Sequence, residues 1–335
     1  LPFGNTQFGG RMRYLLSGCA GFIGAEVTRI LLQQGHEVLG IDNLDEAYEV
    51  TLKKWRLKAL SDYSGFTFIK ADIRDLERLD EIFARFAPFS AIINLAAKAG
   101  VRNSILDPQS YYETNLMGTL NLLELAKRYG VKKFVLASTS SVYGQGAQVP
   151  FNEEMPTSKP LSPYAASKKA AETLCYTYHH LYGIDITVFR YFTVYGPAGR
   201  PDMAYFKFIK WILEGEPLLL YGDGSQKRDF TYVKDIAEGT VLGLKKVGYQ
   251  VINLGNDNPQ TLRDLVYLLE ELTGKKARIK FLPSHPADMR ETWADIKKAK
   301  TLLGWTPKTT FKEGLWKTVK WYLENRSWVK EIKLP

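Results

Sequence analysis

The stretch Gly18-Cys19-Ala20-Gly21-Phe22-Ile23-Gly24 constrains this chain more than any other. It follows a short apolar run, Arg13-Tyr14-Leu15-Leu16-Ser17, that reads as a strand, and it opens a helical stretch ending near Gln34. Gly35-His36 then turn the chain into a second strand over 37–41, ending at Asp42-Asn43. Glycine at every third position has a physical reason in such a strand–turn–helix–strand unit. The first permits the tight turn, the second lets backbone approach a pyrophosphate, and the third lets helix and strand pack closely. The helix N-terminus directs free N–H groups at the phosphates. Asp42 can accept hydrogen bonds from a ribose diol and repel a 2′-phosphate, which favours NAD over NADP.

Further strands are expected at 66–69, 91–95, 133–137 and 185–189, alternating with helices over 47–60, 76–86 and 111–129. That alternation predicts an α/β fold with a doubly wound parallel sheet. Asp72-Ile73 follow the third strand, where such folds touch adenine, and small Ala96-Ala97 follow the fourth, where backbone approaches a cofactor closely. Asn115 reads either as a buried polar linchpin or as a solvated helix residue. Beyond residue 190 the chain turns to Gly- and Pro-rich loops and short elements. We expect residues 12–190 to form the dinucleotide-binding domain and 191–330 a smaller, mixed α/β substrate lobe, with a return to the first domain around 229–255.

Composition narrows the function classes. Hydrophobic residues make up 45% and charged residues 24%, an ordinary soluble balance. No apolar stretch approaches a membrane span, and no secretory pattern opens the chain. Gly-rich residues 1–11 lack periodicity and are set aside, with a natural start expected at Met12. The two cysteines, Cys19 and Cys175, and the four histidines show no ligand spacing, so no metal and a cytoplasmic location are expected. A net charge of +9 suits an anionic ligand, yet lysines are dispersed and no basic stripe interleaves with aromatics, which argues against nucleic acid.

The candidate chemistry lies between Ser138 and Lys168. Ser138-Thr139-Ser140-Ser141 ends the apolar run 133–137, and Tyr164-Ala165-Ala166-Ser167-Lys168 begins a helix after Ser162-Pro163. Tyr164 and Lys168 then sit one turn apart on one face. A phenol with a pKa near ~10 is a poor base at neutral pH. A nearby ammonium favours the phenolate, and a hydroxyl such as Thr139 can hold the same substrate oxygen while a proton moves.

The glycine turn, Asp42, the hydroxyl cluster and the Tyr164/Lys168 pair together resemble the extended short-chain dehydrogenases/reductases. The resemblance is closest to nucleotide-sugar 4-epimerases and spans Met12 to the C-terminal helix. Asp42-Asn43-Leu44, Ala137-Ser138-Thr139-Ser140-Ser141-Val142-Tyr143-Gly144, Arg228-Asp229-Phe230-Thr231-Tyr232-Val233 and Gly304-Trp305-Thr306-Pro307 carry it further. It implies a Rossmann-type fold, tightly held NAD and a homodimer packed through the 111–129 and 163–182 helices. It also implies Tyr164 as base, Lys168 as holder of the nicotinamide ribose, and Thr139 on the C4 oxygen. The cofactor would contact Gly18, Gly21, Phe22, Ile23, Gly24, Asp42, Asn43, Asp72, Ile73, Leu95, Ala96, Ala97, Lys98, Asn115, Tyr164, Lys168 and Tyr191.

Within this family, 4,6-dehydratases carry Asp-Glu just after the threonine, and UDP-glucuronate decarboxylases usually carry Glu two places after it. Ser140 and Ser141 stand there instead. The segment Gly199-Arg200-Pro201-Asp202-Met203-Ala204, Thr193 in place of the usual Asn, Arg102 and Asp45-Glu46-Ala47-Tyr48 are similar to UDP-glucuronate 4-epimerases. An arginine and hydroxyls suit a C6 carboxylate. The implied substrate is a UDP-sugar, UDP-glucuronate or UDP-galacturonate, held by Arg102, Ser140, Ser141, Thr193 and Arg200. Arg228 would bind the diphosphate, or form a surface ion pair with Asp229, and Asp288 the uridine ribose. His285 replaces the arginine expected before it. Two epimerase alternatives, on UDP-glucose or UDP-N-acetylglucosamine, stay open, as do a decarboxylase and a non-catalytic NAD-binding scaffold.

Overall fold

A computed structural model describes residues 10–144, 148–284 and 289–334. Six strands lead the chain through its first part: β1 (Arg13–Ser17), β2 (Glu37–Asp42), β3 (Phe66–Lys70), β4 (Ala91–Asn94), β5 (Lys133–Thr139) and β6 (Asp185–Tyr191). Next come the short β7 (Thr193–Tyr195), β8 (Pro217–Tyr221), β9 (Lys227–Arg228) and β10 (Phe230–Tyr232). The chain then returns to the large sheet as β11 (Tyr249–Leu254) and leaves it for β12 (Gln260–Thr261) and β13 (Arg278–Leu282). The seven-stranded sheet runs β11-β6-β5-β4-β1-β2-β3, with every pairing parallel. This is the doubly wound Rossmann-type arrangement expected from the alternation.

Burial on both faces explains it. Neighbouring strand residues point to opposite sides: Leu15 and Ile92 join one core, Leu16 and Ile93 the other. One face is covered by α1 (Phe22–Gln33) and the opposite face by α3 (Leu76–Phe86), with α2 (Val50–Ser61) at the margin of the sheet. A third apolar cluster, including Tyr195, Tyr205, Phe206, Phe230 and Tyr322, forms the core of the smaller lobe.

Several elements differ from expectation. α2 starts at Val50, where the Glu49 side chain accepts from Thr51 N at 3.3 Å. The loop after β4 contains a short helix not anticipated, α4 (Val101–Leu106). The helix expected over 111–129 is instead α5 (Pro108–Tyr112), a π turn (Glu113–Met117) and α6 (Gly118–Arg128). The widened turn carries Asn115, whose Oδ1 accepts from Lys98 N at 2.9 Å. Its Nδ2 donates to Lys98 O and to Ser167 Oγ, each at 3.0 Å. One residue thus ties the loop after β4 to α7 (Pro163–Tyr182), and a π turn is a common way to aim such a side chain. After α8 (Ala204–Glu214) comes α9 (Val233–Leu242), also unanticipated, which packs beside α1 through Ile236 and Ala237. α10 (Leu262–Thr273) opens on a capping box in which Thr261 and Asp264 satisfy each other's backbone N–H. α11 (Lys297–Leu303) and α12 (Phe311–Glu324) follow.

Among the described glycines, the closest approach to a backbone atom is at the glycine turn. Gly18 has φ +76°, and a Cβ on Gly24 would lie 2.0 Å from the Gly18 carbonyl oxygen. Both atoms belong to backbone, so neither can yield cheaply. Gly24→Ala is expected to destabilise the protein by about 1–3 kcal/mol through overpacking. Urea unfolding of the two proteins measures it, and an unchanged midpoint would refute the packing argument.

Candidate active site

The C-terminal ends of β1, β2, β4 and β5 open onto one cleft, beside the point where strand order reverses between β1 and β4. Gly18, Gly21, Phe22, Ile23 and Gly24 form its floor at the start of α1. Asp42 closes β2, largely buried, and its carboxylate accepts from Ala20 N at 3.1 Å and Leu44 N at 2.8 Å. Lys53 on α2 lies 3.9 Å away. A carboxylate has about four acceptor sites, so lone pairs remain for a diol. Next to it, Asn43 Nδ2 donates to Asp72 Oδ2 at 2.8 Å. Burial pushes the Asp72 carboxyl up, but Arg74 and the Asn43 amide outweigh it and hold it at about 2.

Ile73, Leu95, Ala96, Ala97 and Lys98 line the same wall, with Tyr191 at the end of β6. A Cβ on Gly18 would meet Ala96 N at 2.7 Å, so bare backbone forms the wall there. Backbone N–H groups, a helix N-terminus and a strand-end carboxylate are the donor and acceptor set a dinucleotide needs, and the cleft fits NAD. Asn115, expected among the contacts, does not line the cleft; two of its hydrogen bonds fix the Lys98 backbone from behind, and the third reaches Ser167.

Deeper in, α7 sets the chemistry. Ser162 caps it, accepting from Ala165 N at 3.2 Å, and Pro163 fills the first turn. Tyr164, Lys168 and Glu172 then recur at helical spacing. Burial raises the Tyr164 phenol, and a hydrogen bond with Thr139 and the charge of Arg200 offset only part of that rise. The sequence argument gave that electrostatic role to Lys168. In the structure Lys168 Nζ turns into the sheet and donates to Ala137 O at 2.8 Å, and burial lowers it to about 8. Arg200 also brings positive charge to bear on the phenol. Tyr111 stands edge-on to Tyr164 with ring centroids 6.2 Å apart.

Ser140, Ser141, Thr193 and Arg200 face the cleft together. Arg200 is held in a two-bond fork by Asp202, at 3.0 Å from Nε and 2.5 Å from Nη2. Arg102 is not among the lining residues; its guanidinium stacks over the Tyr221 ring at 4.5 Å. Arg228 also lies off the cleft lining, donating to Lys227 O at 2.8 Å. Among the described residues Asp229 forms no ion pair. It is fully buried and accepts from Asn256 N, Asp257 N and Ala294 N. Asp288 and His285 lie outside the described residues.

Sequence reading passed over several lining residues. Tyr111 carries no spacing signal, and Tyr48 is named only within the Asp45-Glu46-Ala47-Tyr48 segment, without a site role. Asp202 carries one, since an acid two residues after an arginine in a Gly/Pro loop can fold back on it.

The chain matches the family model described as GDP-mannose 4,6 dehydratase over residues 15–318. It is 55% identical to the UDP-glucuronate 4-epimerase of Thermodesulfobacterium geofontis, over 96% of this chain and 99% of that protein. Its structure superposes on a crystal structure of UDP-glucuronic acid 4-epimerase from Bacillus cereus with UDP-glucuronic acid and NAD. The TM-score is 0.87 at 40% identity, covering 94% of this chain and all (100%) of that one. The UDP-glucose 4-epimerase of Thermotoga maritima with UDP-glucose is similar at TM-score 0.87 and 34% identity, again over 94% and 100%.

The Lys168 shift makes a pH prediction. The folded protein releases the Lys168 proton near pH 8, whereas the unfolded chain holds it to about 10.5. Between those values the unfolded state binds more protons, so wild-type stability gains with rising pH, and that gain stops above the unfolded pKa. Lys168→Met should lack this gain. Urea titrations at neutral and at alkaline pH check it; parallel pH profiles for both proteins would refute the burial assignment.

Proposed function

We propose a function from the premise that this chain belongs to the short-chain dehydrogenase/reductase family whose model is described as GDP-mannose 4,6 dehydratase. The protein is an NAD-dependent UDP-sugar 4-epimerase, and its reaction is the interconversion of UDP-glucuronate and UDP-galacturonate through a 4-keto sugar. One observation carries the uronate reading: Arg200, Thr193, Ser140 and Ser141 face the same cleft as Tyr164 and Thr139, with no carboxylic acid at the two positions after Thr139.

In this reading Tyr164 takes the C4 hydroxyl proton while Thr139 holds the C4 oxygen. NAD, held by the glycine turn, Asp42 and Lys168, supplies when bound the acceptor and donor of the C4 hydride, and is regenerated in each turnover. The keto sugar turns over, and Tyr164 returns the proton to the oxygen on the new face. A C4 ketone next to C5 makes a β-keto acid, which loses carbon dioxide when the carboxylate bond lines up with the carbonyl π system. Arg200 and the three hydroxyls of Thr193, Ser140 and Ser141 hold the carboxylate out of that alignment.

Residues 12–190 carry the cofactor, and 191–330 mainly the sugar nucleotide. The dimer is supported by Tyr112, Met117, Tyr176 and Leu181, all exposed along α5, the π turn and α7. The buried free thiols Cys19 and Cys175 suit the cytoplasm. No helix among the described residues is long and apolar enough to cross a membrane.

Proton NMR of the purified protein with UDP-glucuronate and no added NAD should show UDP-galacturonate. Epimerisation of UDP-glucose alone would overturn the carboxylate assignment. Tyr164→Phe should cut turnover by about 10²–10⁴-fold, the range for a lost general base, while NAD stays bound. Arg200→Ala should raise the share of UDP-pentose among the products; an unchanged share would remove Arg200 from the restraint.

A further inference from the structure

α2 buries an arginine that the reaction scheme does not use. Arg56 is 3% exposed, and among the described residues its partners are neutral oxygens. Nε and Nη2 donate to Ala198 O at 3.0 and 2.6 Å, and Nη2 reaches Gly199 O at 3.4 Å. On its other side Nη1 donates to Ala20 O at 2.9 Å and to the Tyr48 hydroxyl at 2.8 Å. Ala20 lies inside the glycine turn, and Ala198-Gly199 immediately precede Arg200. One rigid planar group therefore joins the dinucleotide wall of the cleft to the loop that presents Arg200 to the sugar.

That loop needs an external tie. Ala198 sits at φ +51°, a region that L side chains rarely adopt. A Cβ at Gly199 would lie 1.7 Å from the Tyr205 hydroxyl, so the loop is pressed onto the lobe at the next residue. A buried guanidinium without a carboxylate is a costly device, retained only where its full set of hydrogen bonds is made. Lysine cannot replace it, because a single ammonium does not span two carbonyl groups on opposite walls.

We propose that Arg56 is a positioning residue for sugar recognition: by tying Ala198 and Gly199 to Ala20, it fixes where Arg200 meets the sugar carboxylate. The inference rests on the uronate reading given above. It also makes an assembled dinucleotide wall a condition for a properly placed Arg200, since both share one guanidinium.

The test uses the full-length Tyr164→Phe protein with its retained NAD, so that binding is measured without turnover. Calorimetry compares UDP with UDP-glucuronate. Arg56→Lys should weaken UDP-glucuronate on the order of tenfold, as expected when a fork-to-carboxylate contact is loosened, and leave UDP within about twofold. In the otherwise wild-type enzyme, Arg56→Lys should raise the UDP-pentose share. Arg56→Gln, which keeps two donors without the charge, should fall in the same direction. Parallel weakening of UDP and UDP-glucuronate, loss of NAD, or no change in either ligand overturns the proposal, because each marks a merely structural role. Arg200→Ala is the control: if it too leaves the preference for UDP-glucuronate over UDP intact, the carboxylate reading fails. If Arg200→Ala removes that preference and Arg56→Lys does not, only the role of Arg56 fails.

Discussion

The buried ion pair between Glu172 and Arg190 holds the reaction centre together. Arg190 grips both carboxylate oxygens of Glu172, at 3.0 and 2.8 Å, and Ser138 Oγ donates to the same carboxylate at 2.6 Å. Each member of this network adjoins a residue facing the cleft: Ser138 precedes Thr139, Arg190 precedes Tyr191, and Glu172 lies one turn beyond Lys168. β5, β6 and α7 are thereby locked in one relative position, which sets the geometry of the proton-transfer pair. Burial alone would push the Glu172 carboxyl up; Arg190 and Ser138 outweigh it and keep it below the usual range. Breaking such a pair on one side costs about 3–5 kcal/mol, because a charge is left buried and unpaired. The arrangement favours a rigid frame over a deformable one.

On that frame the cleft manages two opposed demands. A phenol that is to accept a proton needs positive charge nearby, and a sugar carboxylate needs the same. In the proposed reaction Arg200 serves both: its charge lowers the Tyr164 phenol, and its guanidinium borders the same cleft while Asp202 holds Nε and Nη2. Asp202 neutralises part of that charge and pushes the phenol back up. In the proposed reading the sugar carboxylate meets an arginine already aligned by Asp202, with further N–H groups to offer. Lys168, anchored on Ala137 O, lines the same cleft.

Much of this was readable in the sequence because it rests on local rules. The glycine spacing, the strand-end Asp42, the Ser162-Pro163 helix start and the Tyr164–Lys168 interval each follow from backbone geometry within a few residues. What escaped depends on distant contacts. The π turn at Glu113–Met117 arises from the bonds of Asn115 to Lys98 and Ser167, far away in sequence. Arg56 sits on a helix with little apolar periodicity, and its partners at Ala20 and Ala198 belong to separate segments. The anchoring of Lys168 on Ala137 O escaped for a related reason: helical spacing places side chains on a face but does not say where a long chain ends.

The smaller lobe is joined to the sheet by backbone as much as by side chains. β11 pairs with β6 along six registered positions, from Tyr249 opposite Ile186 to Leu254 opposite Tyr191, so the chain re-enters the large sheet between two stretches of the lobe. At that crossing Asp229 accepts from Asn256 N, Asp257 N and Ala294 N, binding two returning segments to one carboxylate. Burial raises its pKa to about 6 even against those donors, so the junction carries an acid poised near neutrality and sealed from water. A lobe stitched in this way cannot swing freely as a separate domain. Reversing the face of a keto sugar must then occur by rotation of the sugar within a fixed cleft. In the proposed uronate reaction such a cleft holds the carboxylate through side chains that reach it in both orientations, and Ser140, Ser141, Thr193 and Arg200 line the cleft as the donors for it.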